Sequence, residues 1–311
     1  MARALIKAVN PLEYLAPKYW PTWLLIGVMR VVVFLPLPGV VFCGSLLGKL
    51  LYLVMPYRRK VAEINLRIAF PDADDAKINR LVKLCFKNMA VGGFELGLNW
   101  WKSDKLFDLC EIQGKEHLIP PEGKGIILLS AHFTSLEIPG PTLIHYLPIP
   151  FQVMYKHAHN KLFDAFMLYH RNQLYEAVVD YHKPIAMIRG LKKGNAAWYA
   201  PDQDFRGKDM VFAPFFGVQA GTLTAPARFS EMTGSPVVPY YIKRNADNRG
   251  YKLVILPPLK NFPTGDIDKD ALIINQTLEY LILQNPEQYL WVHKRFKNRP
   301  EGEAAIYPPK K

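Results

Sequence analysis

The chain has 311 residues, half of them hydrophobic, and a formal net charge of +12 from 39 basic and 27 acidic residues. This length suits one large α/β domain or a domain with an appendage, and the basic excess indicates an anionic partner: nucleic acid, an anionic membrane surface, or an acidic carrier or phosphorylated substrate. The three cysteines, Cys43, Cys85 and Cys110, have no CxxC spacing. They argue against a disulfide scaffold and a thiolate metal site, and favour a reducing compartment.

An apolar stretch occupies residues 20–54, where Arg30 and Lys49 are the only charged residues. Prolines at 36 and 38 divide it into two segments, each shorter than the roughly 20 residues that a helix needs to span a bilayer. Aromatic edges and basic flanks favour membrane anchorage, as one irregular spanning helix, a re-entrant hairpin or interfacial helices, over a buried helical pair in a soluble protein. The tight basic cluster at 58–60 predicts a cytoplasmic body. We expect an anchor segment at residues 1–56 and a second domain at residues 57–311.

Helical and strand patterns alternate through the rest of the chain. We predict helices over residues 57–70, 74–95, 160–173, 185–193 and 266–284, and strands over 126–129, 151–155, 196–200, 237–242 and 251–256. The last two strands flank a polar turn and predict a hairpin. Together these elements predict an α/β fold, with a central mixed sheet flanked by helices and an N-terminal membrane-anchoring helical segment.

His132 and Glu137 follow the first predicted strand of this body, and chemistry in open α/β sheets gathers at the carboxyl ends of strands. Thr134 or Ser135 is expected to cap a helix with Glu137 in its first turn. On one continuous helix, a spacing of five residues separates two side chains by about 140°, so the pair can meet only where the backbone turns. A carboxylate on one imidazole nitrogen would leave the other free as a general base. The alternative is a core histidine and a surface glutamate.

Two further polar clusters follow apolar runs: Asp202 to Lys208, and the basic run His293 to Arg299. The basic run suits phosphate binding or a solvated tail equally well. Two carboxylates at 202 and 204 are too few for a persuasive metal site. Glu95 lies in an apolar, aromatic segment, where a structural partner is expected more than a catalytic role.

Several standard sites are missing from the sequence. It contains no GxSxG elbow, P-loop, GxGxxG or HExxH motif, and no cysteine stands beside a histidine. What remains is a histidine–carboxylate pair without a protein nucleophile. That pair suits direct transfer, in which the histidine deprotonates a substrate hydroxyl that attacks an activated acyl group, without a covalent acyl-enzyme.

The segment HFTSLE at 132–137 fits the HX4(D/E) signature of the glycerolipid acyltransferase superfamily. Four longer blocks narrow the resemblance: GGFELG (92–97), LKKGNAAWYAPDQDF (191–205), VVPYYIKR (237–244) and NPEQYLWVHKRFKNRPEG (285–302). From about residue 50 to 305 the chain resembles the lipid A late (secondary) acyltransferases, which include lauroyl and myristoyl transferases, and it is most similar to the lauroyltransferase branch.

The resemblance implies a Gram-negative inner-membrane enzyme whose catalytic domain, residues 57–311, lies on the cytoplasmic face. Such enzymes move a fatty acyl chain, here lauroyl, from acyl carrier protein to a hydroxyacyl chain of a Kdo-bearing lipid A precursor. By position, His132 and Glu137 match the catalytic dyad, and the late branch accepts Glu where the superfamily often has Asp. Arg171 in LYHRNQ and Asp202 in YAPDQD match an arginine and an aspartate needed for activity. Arg171 is a candidate oxyanion donor, or it forms a supporting ion pair with Asp202.

Candidate substrate-binding residues are basic or polar side chains near the strand ends: Lys156, Asp204, Arg206, His293, Lys294 and Arg295. Acyl carrier protein serves as donor, docking on basic residues such as Arg58, Arg59, Lys192 and Lys193, and no bound cofactor, metal or nucleotide is expected. Two rival functions remain: a glycerophospholipid acyltransferase with the same signature, and a non-catalytic membrane protein that binds anionic lipids. A nucleic-acid partner is disfavoured because no recognition motif is present.

Overall fold

The structure, a computed structural model, describes residues 9–205, 207 and 210–309. Four helices come first: α1 (Trp20–Val32), α2 (Leu37–Val54), α3 (Pro56–Ala69) and α4 (Asp75–Leu106). The side chain of Asp74 caps α4 by accepting a hydrogen bond of 2.7 Å from the backbone N–H of Lys77. The predicted helices at 57–70 and 74–95 are therefore confirmed, and the second continues further than expected.

Helix α2 has two different faces. Gly44 and Gly48 pack against α4 so closely that a Cβ atom would lie 2.7 Å from Cα of Val91 and 2.6 Å from Cα of Lys87, respectively. The opposite face exposes large apolar side chains, among them Leu50 and Leu53. Among the described residues, α2 is the one helix whose length and mean hydropathy of 1.8 suit a membrane span. The division of the chain at residue 56 stays a prediction.

The body alternates strands and helices. In chain order these are β1 (Cys110–Gln113), β2 (Ile126–Leu129), α5 (Pro139–Tyr146), β3 (Phe151–Tyr155), α6 (Lys161–Leu174), β4 (Ala177–Asp180), α7 (Pro184–Lys192), β5 (Ala196–Tyr199), β6 (Met210–Phe215), β7 (Val218–Leu223), α8 (Ala225–Thr233), β8 (Val237–Arg244), β9 (Tyr251–Ile255) and α9 (Ile267–Leu283). Seven strands form the main sheet in the order β1-β9-β8-β2-β5-β3-β4, and β6 pairs with β7 separately.

The main sheet is mixed, as predicted. Strand β8 pairs antiparallel with β9, which confirms the hairpin, whereas β2 pairs parallel with both β5 and β8. All four residues of β2 are fully buried, as expected for a central strand covered on both faces. Parallel pairing of β2 with β5 brings their carboxyl ends to the same edge of the sheet.

Some local predictions were wrong. Thr134 and Ser135 do not cap a helix, and Glu137 lies in a turn, because α5 begins at Pro139. Proline is favoured at the first helical position, where no N–H partner is required. Strands β1 and β4, the β6–β7 hairpin and α8 were not predicted. The hairpin turn uses Phe216 and Gly217 at positive φ, 47° and 75°, and Phe-Gly is not a usual turn sequence.

Candidate active site

His132 and Asp202 come from neighbouring strands. Leu129 at the end of β2 is paired in register with Tyr199 at the end of β5. His132 and Asp202 each lie three residues beyond these partners. The parallel register therefore brings together two side chains that are 70 residues apart in the chain.

The two residues are joined by two hydrogen bonds. Nδ1 of His132 lies 2.6 Å from Oδ1 of Asp202, and the backbone N–H of His132 donates to Oδ2 at 2.9 Å. Burial alone would raise the pKa of the Asp202 carboxyl, but the charge and hydrogen bonds of His132, with the hydroxyl of Tyr289, lower that pKa to about 2. An ionised Asp202 favours a proton on Nδ1, which leaves Nε2 of His132 as the basic nitrogen.

Glu137 has different partners. Its Oε1 accepts a hydrogen bond from the guanidinium of Arg171, and its Oε2 accepts one from Nδ2 of Asn99 at 3.3 Å. The predicted contact between His132 and Glu137 is wrong: Nδ1 of the imidazole contacts Asp202, and the two oxygens of Glu137 bind Arg171 and Asn99. The alternative ion pair of Arg171 with Asp202 is also not formed. The chain thus has two separate pairs, His132–Asp202 and Glu137–Arg171.

A cleft of about 350 Å³ opens beside these pairs. His132 lines it, with its side chain 22% exposed, and so does Arg171. Aromatic rings supply much of the wall: Trp198, whose ring centroid is 6.0 Å from that of His132, and Tyr155, whose ring centroid lies 5.0 Å from Cζ of Arg171. A base and a cation therefore share one largely aromatic space.

A narrower cavity of about 20 Å³ lies behind this cleft. Leu136, Arg171 and Trp198 line both spaces, so the two adjoin. Its remaining walls are mainly apolar and aromatic, including Leu143, Phe151 and Val153.

The candidate substrate-binding residues are dispersed. Lys156 and Asp204 line the same cleft as His132, and their contact with substrate stays a prediction. Nε2 of His293 accepts a hydrogen bond of 3.0 Å from the backbone N–H of Asp204, and burial lowers the pKa of His293 to about 4. Lys294 borders a different cleft. Arg206 lies outside the described residues.

The prediction for Arg295 was wrong. Its side chain is buried and donates hydrogen bonds to the carbonyl of Gly221, to Oγ1 of Thr222 at 3.1 Å and to Oδ1 of Asn275 at 3.3 Å. These partners belong to β7 and α9. Arg295 therefore stabilises the packing of the small hairpin on α9 and does not line the cleft that contains His132.

Two buried cysteines and one buried glutamate have structural positions. Burial raises the pKa of Cys85 to about 12 and that of Cys110 to about 11, so both thiols stay protonated near neutral pH. Glu95 is buried and accepts hydrogen bonds from Arg244 at 2.8 Å and from the Tyr251 hydroxyl at 2.9 Å, which confirms its predicted structural role. Within the described ranges, no three His, Cys, Asp or Glu side chains are grouped as a metal site requires.

Three residues of the site were not predicted. Asn99 holds Glu137, Tyr289 contacts Asp202, and Trp198 flanks His132. Trp198 and Tyr289 lie in the sequence blocks at 191–205 and 285–302, which are therefore the signal that pointed to them. Asn99 belongs to helix α4 and lies outside these sequence blocks, so no pattern in the sequence marks it as a site residue.

The sequence profile described as bacterial lipid A biosynthesis acyltransferase matches residues 10–298. This chain belongs to that family. It is an acyltransferase of lipid A biosynthesis, and the enzyme class predicted from the sequence is confirmed.

Curated relatives extend the family assignment over nearly the whole chain. The lipid A biosynthesis lauroyltransferase of Escherichia coli K12 is 35% identical, covering 94% of this chain and 96% of its own length. The palmitoleoyltransferase of the same organism is 31% identical, covering 95% of this chain and 97% of its own length. The myristoyltransferase of that organism is 26% identical, covering 94% of this chain and 92% of its own length. These identities place the chain nearest the lauroyl branch of the three.

Among solved structures, the crystal structure of the 1-acyl-sn-glycerophosphate acyltransferase PlsC from Thermotoga maritima aligns with a TM-score of 0.38 and 15% sequence identity. The alignment covers 79% of this chain and 96% of that one.

Proposed function

We propose that this member of the lipid A acyltransferase family transfers a lauroyl chain from acyl carrier protein to a hydroxyacyl chain of a Kdo-bearing lipid A precursor. One observation carries the proposal: His132 is held by Asp202 through Nδ1, and its ring borders an aromatic cleft that also contains the cation of Arg171. The greater identity to the lauroyltransferase than to the myristoyltransferase supports the choice of acyl chain.

His132 acts as the general base in this proposal. Nε2 takes the proton of the acceptor hydroxyl, and the hydroxyl oxygen attacks the thioester carbonyl to give a tetrahedral oxyanion. When this intermediate collapses, the carbon–sulfur bond breaks and the departing thiolate takes the proton from Nε2. Asp202, rather than the predicted Glu137, orients the imidazole and stabilises its positive charge.

Direct transfer, without an acyl-enzyme, is supported by the surroundings of His132. In the described part of the chain, no side-chain hydroxyl or thiol forms a hydrogen bond with Nε2 of His132. The described residues therefore offer this base no protein nucleophile to activate. Arg171 supplies positive charge toward the developing oxyanion. Its pairing with Glu137 fixes the guanidinium, while Nε of Arg171 is buried without a hydrogen-bond partner among the described residues.

Anchorage at the cytoplasmic face of the inner membrane completes the proposal. The exposed apolar face of α2 and the basic residues that follow it support contact with an anionic bilayer. A carrier that is an acidic protein would dock through basic surface residues, for which Lys192 and Lys193 are exposed candidates. No bound cofactor takes part in this scheme.

Purified protein tests the reaction directly. The donor is acyl carrier protein loaded with a lauroyl, myristoyl or palmitoleoyl chain, and the acceptor is either lipid A precursor or lysophosphatidate. Products are identified by mass spectrometry. We expect lauroyl transfer to the precursor, and a loss of roughly 100-fold or more in His132→Ala, the contribution typical of a general base. His117→Ala, at the far edge of the sheet near β1, is the matched control and keeps full activity.

Three outcomes contradict the proposal. Preference for lysophosphatidate would assign the protein to glycerophospholipid synthesis, and full activity of His132→Ala would remove the general base. Lipid binding without any turnover would favour a non-catalytic lipid-binding protein.

A further inference from the structure

A second cleft, of about 570 Å³, lies where the end of α2 meets the start of α3. Three cationic side chains line it: Arg58, Lys294 and Lys297. Its lining residues, all within the described ranges, include no carboxylate. The cleft is therefore a concave, positively charged space outside the catalytic cleft.

The charges in this cleft have little compensation within the protein. In the described part of the chain, neither Arg58 nor Lys297 forms an ion pair. Arg58 donates 3.0 Å to the carbonyl of Val292, and Nζ of Lys294 lies 4.7 Å from the ring centroid of Tyr57. Lys297 interacts with the carboxylate of Asp204 through its charge and forms no ion pair with it. That charge lowers the pKa of Asp204, but burial has the larger effect and raises the pKa overall. Each of these cations can accept an anion without breaking an ion pair.

The start of α3 adds to the positive potential. Helix N-termini carry unsatisfied N–H groups and the positive end of the macrodipole, so acidic residues are favoured there. Helix α3 has none in its first turn and instead carries Arg58 and Arg59. This arrangement opposes the usual preference, and an anion bound in the cleft would offset the repulsion.

The cleft adjoins the catalytic cleft through His293. That residue lines the basic cleft, and its Nε2 accepts the N–H of Asp204, which lines the catalytic cleft. His293 also lies within electrostatic range of both Arg58 and His132. A ligand large enough to fill both spaces would have its anionic group only a short distance from the catalytic base.

Apolar surface borders the same cleft. Val54 and Met55 line it, and Val54 is 61% exposed at the end of the apolar face of α2, next to Leu53 at 69%. Cations on one side and exposed apolar side chains on the other suit an amphiphile. Resting on the function proposed above, we propose that Arg58, Lys294 and Lys297 bind a phosphomonoester group of the lipid acceptor.

Steady-state kinetics of the full chain in neutral detergent micelles test this site. For Lys294→Gln/Lys297→Gln, the KM for the phosphorylated acceptor should rise roughly tenfold or more, as expected for lost charge-assisted hydrogen bonds, with kcat little changed. With an acceptor whose phosphates have been removed, wild type and variant should have equal KM. Lys115→Gln/Lys260→Gln removes the same charge from exposed positions elsewhere and should leave both constants unchanged.

The single variant Lys297→Gln is a control for misfolding. We expect it to fold, because Lys297 is exposed and has no side-chain hydrogen bond among the described residues. It should show a smaller rise in KM with an unchanged melting temperature. A direct measurement needs no turnover: soluble dihexanoyl phosphatidate, a phosphomonoester, should bind wild type more tightly than the double variant. Absence of lipid A acylation by wild type would overturn the proposed function and leave this binding measurement standing.

Three results would overturn the site. One is an equal rise in KM for acceptors with and without phosphate. Another is a rise in KM for the acyl carrier protein alone, which would make the cleft a carrier-docking surface. The third is weakened binding to vesicles of phosphatidylcholine and phosphatidylglycerol with no change of KM in micelles, which would assign the cations to membrane headgroups.

Discussion

Glu137 and Arg171 form an ion pair beside the cleft that contains His132, and each side chain is only 13% exposed. The carboxylate five residues after His132 therefore pairs with a guanidinium and does not contact the imidazole. The carboxylate that contacts the imidazole belongs instead to Asp202, beyond the adjacent strand of the sheet. The two acids have separable roles, and substitutions can distinguish them.

Asp202→Asn should leave the fold intact and reduce kcat by roughly 100-fold or more, because the amide cannot stabilise the imidazolium or enforce a proton on Nδ1. The asparagine can still accept from the backbone N–H of His132, so the loop should keep its position. Rates under single-turnover conditions, with circular dichroism of both proteins, check this. A variant with wild-type kcat would show that Asp202 does not orient the base.

Asp202 should also make stability depend on pH. Its pKa falls from an ordinary value of 3.8 to about 2 on folding, so the unfolded chain binds the proton more readily. The stabilisation, on the order of 2 kcal/mol, is present above the unfolded pKa and is lost as the pH falls through about 2. Denaturant unfolding in detergent, followed from neutral pH downward, should show the gap between wild type and Asp202→Asn closing below about pH 4. A constant gap would contradict this linkage.

Glu137→Gln and Arg171→Gln should each lower activity and stability, because each leaves a nearly buried charge without its partner. Breaking such a pair typically costs about 3–5 kcal/mol when it is fully buried, and the partial exposure here should make the loss smaller. The double variant Glu137→Gln/Arg171→Gln should be more stable than the sum of the single losses predicts, which is the signature of direct coupling. Unfolding free energies of the four proteins give the coupling.

A matched cycle of Glu137→Gln with Asp202→Asn provides the comparison. These two carboxylates contact different partners, so their stability losses should be nearly additive. Strong coupling between them, with additivity in the Glu137–Arg171 cycle, would reverse the assignment of the two pairs.

Adjacent glycines in α4 should respond differently to alanine. A Cβ on Gly92 would overlap the carbonyl oxygen of Thr134 in the turn after His132, whereas one on Gly93 meets no heavy atom within 4 Å. Gly92→Ala should therefore displace the turn that follows His132 and lower kcat by about 100-fold, the loss that a shift of about 1 Å produces. Gly93→Ala should keep full activity and raise stability by up to about 1 kcal/mol through better helix propensity. Equal behaviour of the two variants would show that this contact does not position the turn.

Local patterns predicted the elements with strong signals. The apolar run at β2, the polar turn between β8 and β9, and the helical pattern at 266–284 are each contained in the segment whose structure they predicted. The β6–β7 hairpin was missed because a phenylalanine adopts the left-handed conformation in its turn. A pattern of apolar and polar residues does not indicate such a conformation, because the packing around the turn has to stabilise it.

The site depended on register more than on spacing. The HX4E pattern suggested a partner for His132 within the same segment, but Asp202 reaches the imidazole because Leu129 and Tyr199 are paired across β2 and β5. Strand order was not apparent from the sequence, so the predicted residues could be identified while their pairing could not. Arg295 illustrates the opposite error, since a basic run gave no sign that one of its members points inward.

The close packing of α2 on α4 fixes the position of His132 relative to the apolar helix α2. Lys87 of α4 touches Gly48 of α2, and Gly92, five residues later, touches the turn after His132. Those two contacts are only about 7.5 Å apart along the axis of α4. With α2 seated in lipid, the imidazole would stand at a constant height relative to the bilayer. Only an acceptor hydroxyl held at that height could then be acylated, whatever the length of the chain that is transferred.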